Sequence, residues 1–479
     1  MVGIVAYGAY IPRYRLNRQT ISRAMGWLSP AGLPGEKAVA NYDEDSLTMG
    51  VAAGMACLEE TAREKIDGLY FATTTSPYRE RESAAIMATA LDLRPDIRTA
   101  DFTDSLKAGT TALLSGSDAI KAGSAETVLL CTADCRLGKP GGPQEMLFGD
   151  GAAALLLGDS GVIASLEDSY SVTYDFPDYR RGEYDKFVRT TEDRFIREEG
   201  YGRFIPEAVS GLLKKCGLET RDFARVAYPC LNLRAHGAIA RSLGFQPDQV
   251  QEPLLGVVGE AGTASPLLLL VAMLEEANPG DNILLVSYGN GAEALFFRVT
   301  GGIAKVKDRK RLRKHLDARK ELDPYEKYLV FRGIIPTEAG FGGEVAPTQL
   351  TMTWRERKTI LALYGSKCQR CGTPQYPPQG VCVNPACGAV GEMEDYRFSD
   401  KRGTLFSCTE DHASYSPNPP LVFGMVDFEG GGRFLFDVTD CEPGSVSIGM
   451  PVKMSLRRKY SDEPRGIYGY FWKAVPARD

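Results

Sequence analysis

Apolar positions in this chain follow two different rhythms. Up to about residue 300, short apolar runs alternate with longer helix-like stretches. Ile4-Val5-Ala6, Gly68-Leu69-Tyr70-Phe71-Ala72 and Val128-Leu129-Leu130 predict strands, while Leu47 to Ala62 and Ser83 to Leu91 predict helices. The theme resumes at Gly161-Val162-Ile163-Ala164-Ser165 and ends on Ile283-Leu284-Leu285-Val286, with a polar, aromatic-rich insertion around Asp175 to Glu199. Alternation of this kind predicts a layered α/β architecture with helices covering sheets. After Gly403 the helix signals stop. Thr404 to Cys408, Leu421 to Val426, Arg433 to Val438 and Pro451 to Leu456 read as short strands between Gly turns, which predicts a small β-barrel of the OB type.

The first region is written twice. Leu106-Lys107-Ala108-Gly109-Thr110 opens an apolar helix, leads to a strand, and is followed by Phe148-Gly149-Asp150-Gly151-Ala152. Gly259-Glu260-Ala261-Gly262-Thr263 does the same and is followed by Tyr288-Gly289-Asn290-Gly291-Ala292. A period of about 150 residues is too long for a solenoid and predicts two fused α/β halves. Equivalent helix N-termini then meet near a pseudo-dyad, where a ligand would sit.

The expected boundaries are 1–160 and 161–335 for the halves, 336–352 for a Gly/Pro/Thr-rich linker, 353–396 for a helix (Trp354 to Leu363) with a cysteine cluster, and 397–479 for the barrel. Net charge of −6 speaks against a nucleic-acid binder. No apolar run approaches membrane-spanning length. Nine of the residues from Lys305 to Lys320 are Lys or Arg, which reads as a solvated helix face or, more specifically, as cations for substrate phosphates.

Four of the 11 cysteines fall within Cys368-x2-Cys371 and Cys382-x4-Cys387. Two such knuckles close a tetrahedral thiolate shell, so structural zinc is expected, with iron as the alternative ion. The other seven are scattered, which suits reduced thiols and a cytoplasmic protein.

The segments Lys107-Ala108-Gly109-Thr110, Asn232-Leu233-Arg234, Gly259 to Ser265 and Ser287 to Ala292 resemble the thiolase superfamily, specifically 3-hydroxy-3-methylglutaryl-CoA (HMG-CoA) synthases and ketoacyl synthase III enzymes. The remainder resembles the zinc-ribbon plus OB-fold proteins that accompany such enzymes. The resemblance implies a duplicated thiolase-like fold, layered α-β-α-β-α, followed by a rubredoxin-like ribbon and an OB-fold. It also implies an acyl-CoA substrate, so coenzyme A enters as part of the substrate. A homodimer through the thiolase-like region is expected, with no nucleic acid and no membrane.

The departures from the family pattern redirect the chemistry. Leu106 stands where the family has its nucleophilic Cys, Pro229 where it has His, Glu260 where ketoacyl synthases have Asn, and Thr74 near the place of the HMG-CoA synthase general base. Leucine cannot hold an acyl group. What remains is enolate chemistry beside a thioester, as in aldol or retro-aldol reactions. Candidate catalytic groups are Glu260, Tyr288, Asp104 and Ser105, with the backbone N–H groups of Leu106 and Asn290 as an oxyanion hole. Asn232, Arg234, Gly262 and Gly289 are candidate binding positions for coenzyme A. Two other readings stand beside this one: an acyltransferase using another nucleophile such as Ser105 or Cys135, and a non-catalytic acyl-CoA-binding scaffold.

Overall fold

Nine of the strands join into one sheet. Across it they run Arg225–Ala227, Asn282–Tyr288, Gly291–Val299, Ala164–Thr173, Gly3–Tyr10, Gly151–Gly158, Val128–Asp134, Gly68–Ala72 and Arg98–Phe102. The duplication expected from sequence is visible in the pairing. Gly151–Gly158 lies antiparallel between Gly3–Tyr10 and Val128–Asp134, and Gly68–Ala72 continues parallel to the latter. In the second half Gly291–Val299 lies antiparallel between Ala164–Thr173 and Asn282–Tyr288, and Arg225–Ala227 continues in parallel. The halves meet where Gly3 and Ile4 pair with Ser165 and Ala164.

The computed structural model describes residues 1–28, 32–306, 309–338 and 347–477. They divide into two compact units: 1–41, 45–85 and 93–328 in the first, 42–44, 86–92 and 329–479 in the second. Within the first, the equivalent helices Ala108–Lys121 and Ala264–Glu276 pack together. The second is apolar all round, with Pro266 to Val271 all buried, as a helix covered on every side must be. Gly109 permits their close approach, because a Cβ there would stand 2.9 Å from the Thr263 carbonyl oxygen. The helix Ser46–Cys57 is started by a reciprocal capping box between Asp45 and Thr48.

The basic run 305–320 contains the helix Arg311–Asp317. Arg309 and Arg311 pair with Glu60 and Glu59, Arg319 with Glu36, and Arg313 with Asp317. Four cations of that run are thus engaged by acidic neighbours; residues 307 and 308 lie outside the described residues. The expected linker includes residues 339–346, which also lie outside them.

In the second unit the helix expected from Trp354 to Leu363 is instead two short ones, Leu350–Arg355 and Arg357–Leu361. A three-stranded ribbon follows, with Tyr364–Cys368 between Pro374–Gln375 and Met393–Arg397. Five antiparallel strands then run in the order Arg433–Asp437, Leu421–Phe428, Gly403–Asp411, Pro451–Asp462, Ile467–Pro476. A bridge between Val438 and Ala474 brings the two edges together, as barrel closure requires. Leu421–Phe428 alternates buried and half-buried residues along its length, the period of a strand facing a core on one side. Inside this unit Arg457, 1% exposed, gathers Glu44 at 2.6 Å, Asp440 at 2.7 Å and Asp43 at 3.3 Å, and Lys473 reaches Asp43 at 3.0 Å. Burial alone would raise the Asp43 pKa, but Lys473 and Arg457 together hold it below the usual carboxylate value.

Candidate active site and metal centre

In the second unit the four cysteines converge as their spacing required. One sulfur from each lies within 4.8 Å of the others, with Cys368–Cys387 at 3.8 Å and Cys371–Cys382 at 3.5 Å. Zinc–sulfur bonds of about 2.3 Å place tetrahedral sulfurs roughly 3.8 Å apart, so the donor set fits a zinc ion. Gly372 and Gly388 have φ of 73° and 58°, the left-handed turns that each knuckle needs after its cysteine.

In the first unit the candidate catalytic residues lie at the carboxyl ends of strands and at helix N-termini. Leu106 is half-buried in the turn before Ala108–Lys121, and its N–H makes no hydrogen bond to the described residues. Gly289 presses against it: a Cβ there would stand 2.9 Å from the nitrogens of Leu106 and Lys107 and from Ser105 Oγ. Ser105 Oγ donates to the Gly289 carbonyl at 3.2 Å. The Gly289 N–H itself turns back to the Gly291 carbonyl, at 3.0 Å, while Asn290 is exposed with φ of 48°. Asp104 is exposed with φ of 69°.

Glu260 is 5% exposed and its backbone is pinned to the neighbouring loop by a bridge to Phe148. Both carboxylate oxygens are occupied. Oε2 receives Arg136 Nη1 at 2.5 Å; Oε1 receives the Gly262 N–H at 2.9 Å and Ser265 Oγ at 3.3 Å. Burial pushes this carboxyl's pKa upward against the pull of Arg136. Arg136 stacks on Phe148, 4.1 Å from its ring centroid, and lies 5.2 Å from that of Tyr179.

Beside this pair stands Asp134, fully buried at the end of its strand. It accepts from Thr73 Oγ1, the Thr74 N–H and hydroxyl, Thr75 Oγ1 and the Thr263 N–H, at 2.8 to 3.1 Å. Thr74, which the family resemblance put near the place of the general base, serves here as a donor to Asp134. Gly262 (φ 60°) is required beside it, since a Cβ would meet Asp134 Oδ2 at 2.1 Å.

Tyr288 is 2% exposed and points into the core around Phe204 and Tyr201. Its hydroxyl and Asp178 Oδ2 are close enough to perturb each other's titration, yet neither atom meets hydrogen-bond geometry with any group among the described residues. Burial raises the Asp178 carboxyl; burial and then Asp178 raise the Tyr288 phenol. Tyr201 donates to the Pro229 carbonyl at 2.6 Å, and Pro229 and Cys230 share a crevice with Leu255, Glu260 and Ser265. Asn232 caps the helix Leu233–Leu243 through bonds to the N–H groups of Arg234 and Ala235, and the Arg234 side chain is exposed. His236 is stacked on Tyr228, and burial lowers its pKa to about 4.

Sequence reasoning missed Asp134, Arg136 and Asp178. The first two had a signal, since they follow directly on the strand Val128-Leu129-Leu130 at its carboxyl end, where α/β folds place ligand-facing residues. Asp178 lies in the insertion and carried none.

These features define a thiolase-like fold, and a family model for the 3-oxoacyl-[acyl-carrier-protein] synthase III C terminus matches residues 213–298. The chain belongs to the hydroxymethylglutaryl-CoA synthase family. It is 36% identical to the hydroxymethylglutaryl-CoA synthase of Methanopyrus kandleri over 64% of this chain and 90% of that one. With the Pyrococcus furiosus protein of the same name it shares 35% identity over 62% and 86%. A crystal structure of HMG-CoA synthase complexed with CoA superposes with a TM-score of 0.64 at 21% identity, covering 73% of this chain and 94% of that one. The last third matches two further models, a ChsH2 rubredoxin-like zinc ribbon at 355–393 and a ChsH2 C-terminal OB-fold at 396–457.

Proposed function

We propose that this protein is an acyl-CoA enzyme that makes or breaks a carbon–carbon bond next to the thioester without forming an acyl-enzyme. The observation that carries the reading is Leu106 at the N-terminal turn of the central helix, in a chain of the HMG-CoA synthase family. A leucine there offers a backbone donor but no nucleophile.

In the cleavage direction a β-hydroxyacyl-CoA loses its hydroxyl proton to a base. The O–H electrons form the new carbonyl, the Cα–Cβ bond breaks, and its electrons pass to the thioester as an enolate. The enolate carbon then takes a proton, leaving a shorter acyl-CoA and an aldehyde or ketone; condensation is the reverse. The Leu106 N–H, at a helix N-terminus, supports the enolate oxygen, with the Asn290 N–H as the second donor. Asp178 and Tyr288 supply the acceptor and donor for the two proton transfers, through Asp178 Oδ2 and the Tyr288 hydroxyl, which have no hydrogen-bond partner among the described residues, while Asp178 Oδ1 accepts from the Tyr179 N–H. Glu260 is held by three partners and acts through them. Zinc in the ribbon is structural, coenzyme A enters with the substrate, and the thiolase-like region pairs two copies.

The test is to incubate the protein with a series of β-hydroxyacyl-CoAs and measure the shorter thioester and the carbonyl product together. Equal amounts of both support the reading. Thioester hydrolysis alone, or no turnover across the series in either direction, would refute it.

A further inference from the structure

Arg136 combines two properties that rarely occur together. Its side chain is 3% exposed and cradled by Phe148 and Tyr179, yet only one of its nitrogens is used: Nη1, on Glu260. Nε and Nη2 bond to no described residue, and they are not among the unpartnered atoms that the fold seals from solvent. What this buried cation has left to offer is a pair of N–H donors in the fixed fork of a guanidinium.

The charges around it narrow what those donors can take. Glu260 already neutralises the guanidinium, and Asp134 faces the same loop through the Thr263 N–H and Gly262. An ionised carboxylate would add a further buried negative charge, which costs heavily without a fresh counter-charge. A neutral carbonyl or hydroxyl oxygen adds none, and it gains most where negative charge builds up on it during reaction. On the function proposed above, the acyl chain carries one such oxygen besides that of the thioester: the one on the β-carbon, hydroxyl in one direction and carbonyl in the other.

We propose that Arg136 binds the β-oxygen of the acyl group through Nε and Nη2, and that Glu260 is the positioning residue that holds the fork in place. This rests on the acyl-CoA reading. It gives Glu260 a different task from proton transfer: both its oxygens anchor, through Arg136 on one side and Gly262 and Ser265 on the other. Arg136 touches the substrate, and Glu260 acts through it.

The experiment compares two ligands differing in that oxygen, acetoacetyl-CoA and butyryl-CoA, by calorimetric titration of the full-length protein. The wild type should bind acetoacetyl-CoA on the order of tenfold more tightly, the worth of one charge-assisted hydrogen bond. Arg136→Lys keeps the charge and the contact with Glu260 but loses the fork, and the ratio should fall close to one. Because Arg136→Gln alone would strand a buried carboxylate, the double variant Arg136→Gln/Glu260→Gln serves as the charge-balanced check and should lose the preference as well. A wild type that binds both ligands equally, or a preference that survives in Arg136→Lys and the double variant, would overturn the assignment and leave the acyl-CoA reading standing. Failure of the wild type to bind either thioester would overturn both.

Discussion

Replacing Arg457 by methionine should destabilise the second unit severely, and the structure gives the size. Arg457 is 1% exposed, and its guanidinium stands 2.6 Å from Glu44, 2.7 Å from Asp440 and 3.3 Å from Asp43. At an effective dielectric of about 20, a contact of that length is worth about 6 kcal/mol of attraction, most of it offset by the desolvation of both charges. Removing one partner keeps the desolvation and loses the attraction, so the expected cost is about 3–5 kcal/mol. Lys473 still covers Asp43 at 3.0 Å, which keeps the figure from growing further. Adding Glu44→Gln and Asp440→Asn to Arg457→Met removes the stranded charges and should recover more than half of the loss. Trp472 supplies the assay. It is fully buried in this unit with its indole N–H on the Leu361 carbonyl at 2.8 Å, whereas Trp27 and Trp354 are 81% and 66% exposed. The blue-shifted component of tryptophan emission therefore follows unfolding around the barrel. In guanidinium chloride, with a slope of roughly 4 kcal/mol per molar, the midpoint should drop by about 1 M. An Arg457→Met midpoint equal to the wild type's, or a triple variant no more stable than the single one, would refute the reasoning.

Acid should act on the same cluster. The folded pKa of Asp43 lies below its unfolded value, so its contribution is fully present above about pH 4 and is lost as the pH falls through the folded value; a Trp472 transition that moves upward on acidification below pH 4 would contradict this. Gly262→Ala forces a Cβ to 2.1 Å from Asp134 Oδ2 at a φ of 60°, and should cost about 3 kcal/mol or more, read as a lowered unfolding midpoint together with lost turnover. The ribbon should hold one zinc per chain by elemental analysis. Cys382→Ser should release it and loosen the ribbon as judged by proteolysis between residues 368 and 393, with an unchanged metal content as the contrary result.

Features written in local pattern were legible in the sequence, and features assembled across long separations were not. The duplication showed in two copies of one motif because each copy builds the same strand–helix–strand arrangement, and the sheet pairing repeats it. The cysteine centre showed because each knuckle needs only its own turn, fixed by Gly372 or Gly388. The helix expected over Trp354 to Leu363 is broken at Glu356, whose backbone, at φ −92° and ψ 12°, leaves the helical region between the two short helices. The site departed furthest from expectation. Glu260 stands before the second helix, but the arginine that pairs with it lies 124 residues earlier, and the Asp134 carboxylate reaches Thr263 across 129. The ion cluster of the second unit joins Asp43 and Arg457 over 414 residues. No periodicity spans such distances. Only the rule that strand ends face the site pointed toward Asp134 and Arg136.

The central claim is that this site works without a covalent acyl intermediate, and intact-protein mass measurement tests it most directly. Wild-type protein and Leu106→Cys would be incubated side by side with acetyl-CoA, quenched in acid and weighed. The account predicts no adduct on the wild type and a single acetyl group on Leu106→Cys, whose thiol would stand at a helix N-terminus that favours the thiolate. An acetyl group on the wild-type chain, on Ser105, Cys135 or any other residue, would contradict it.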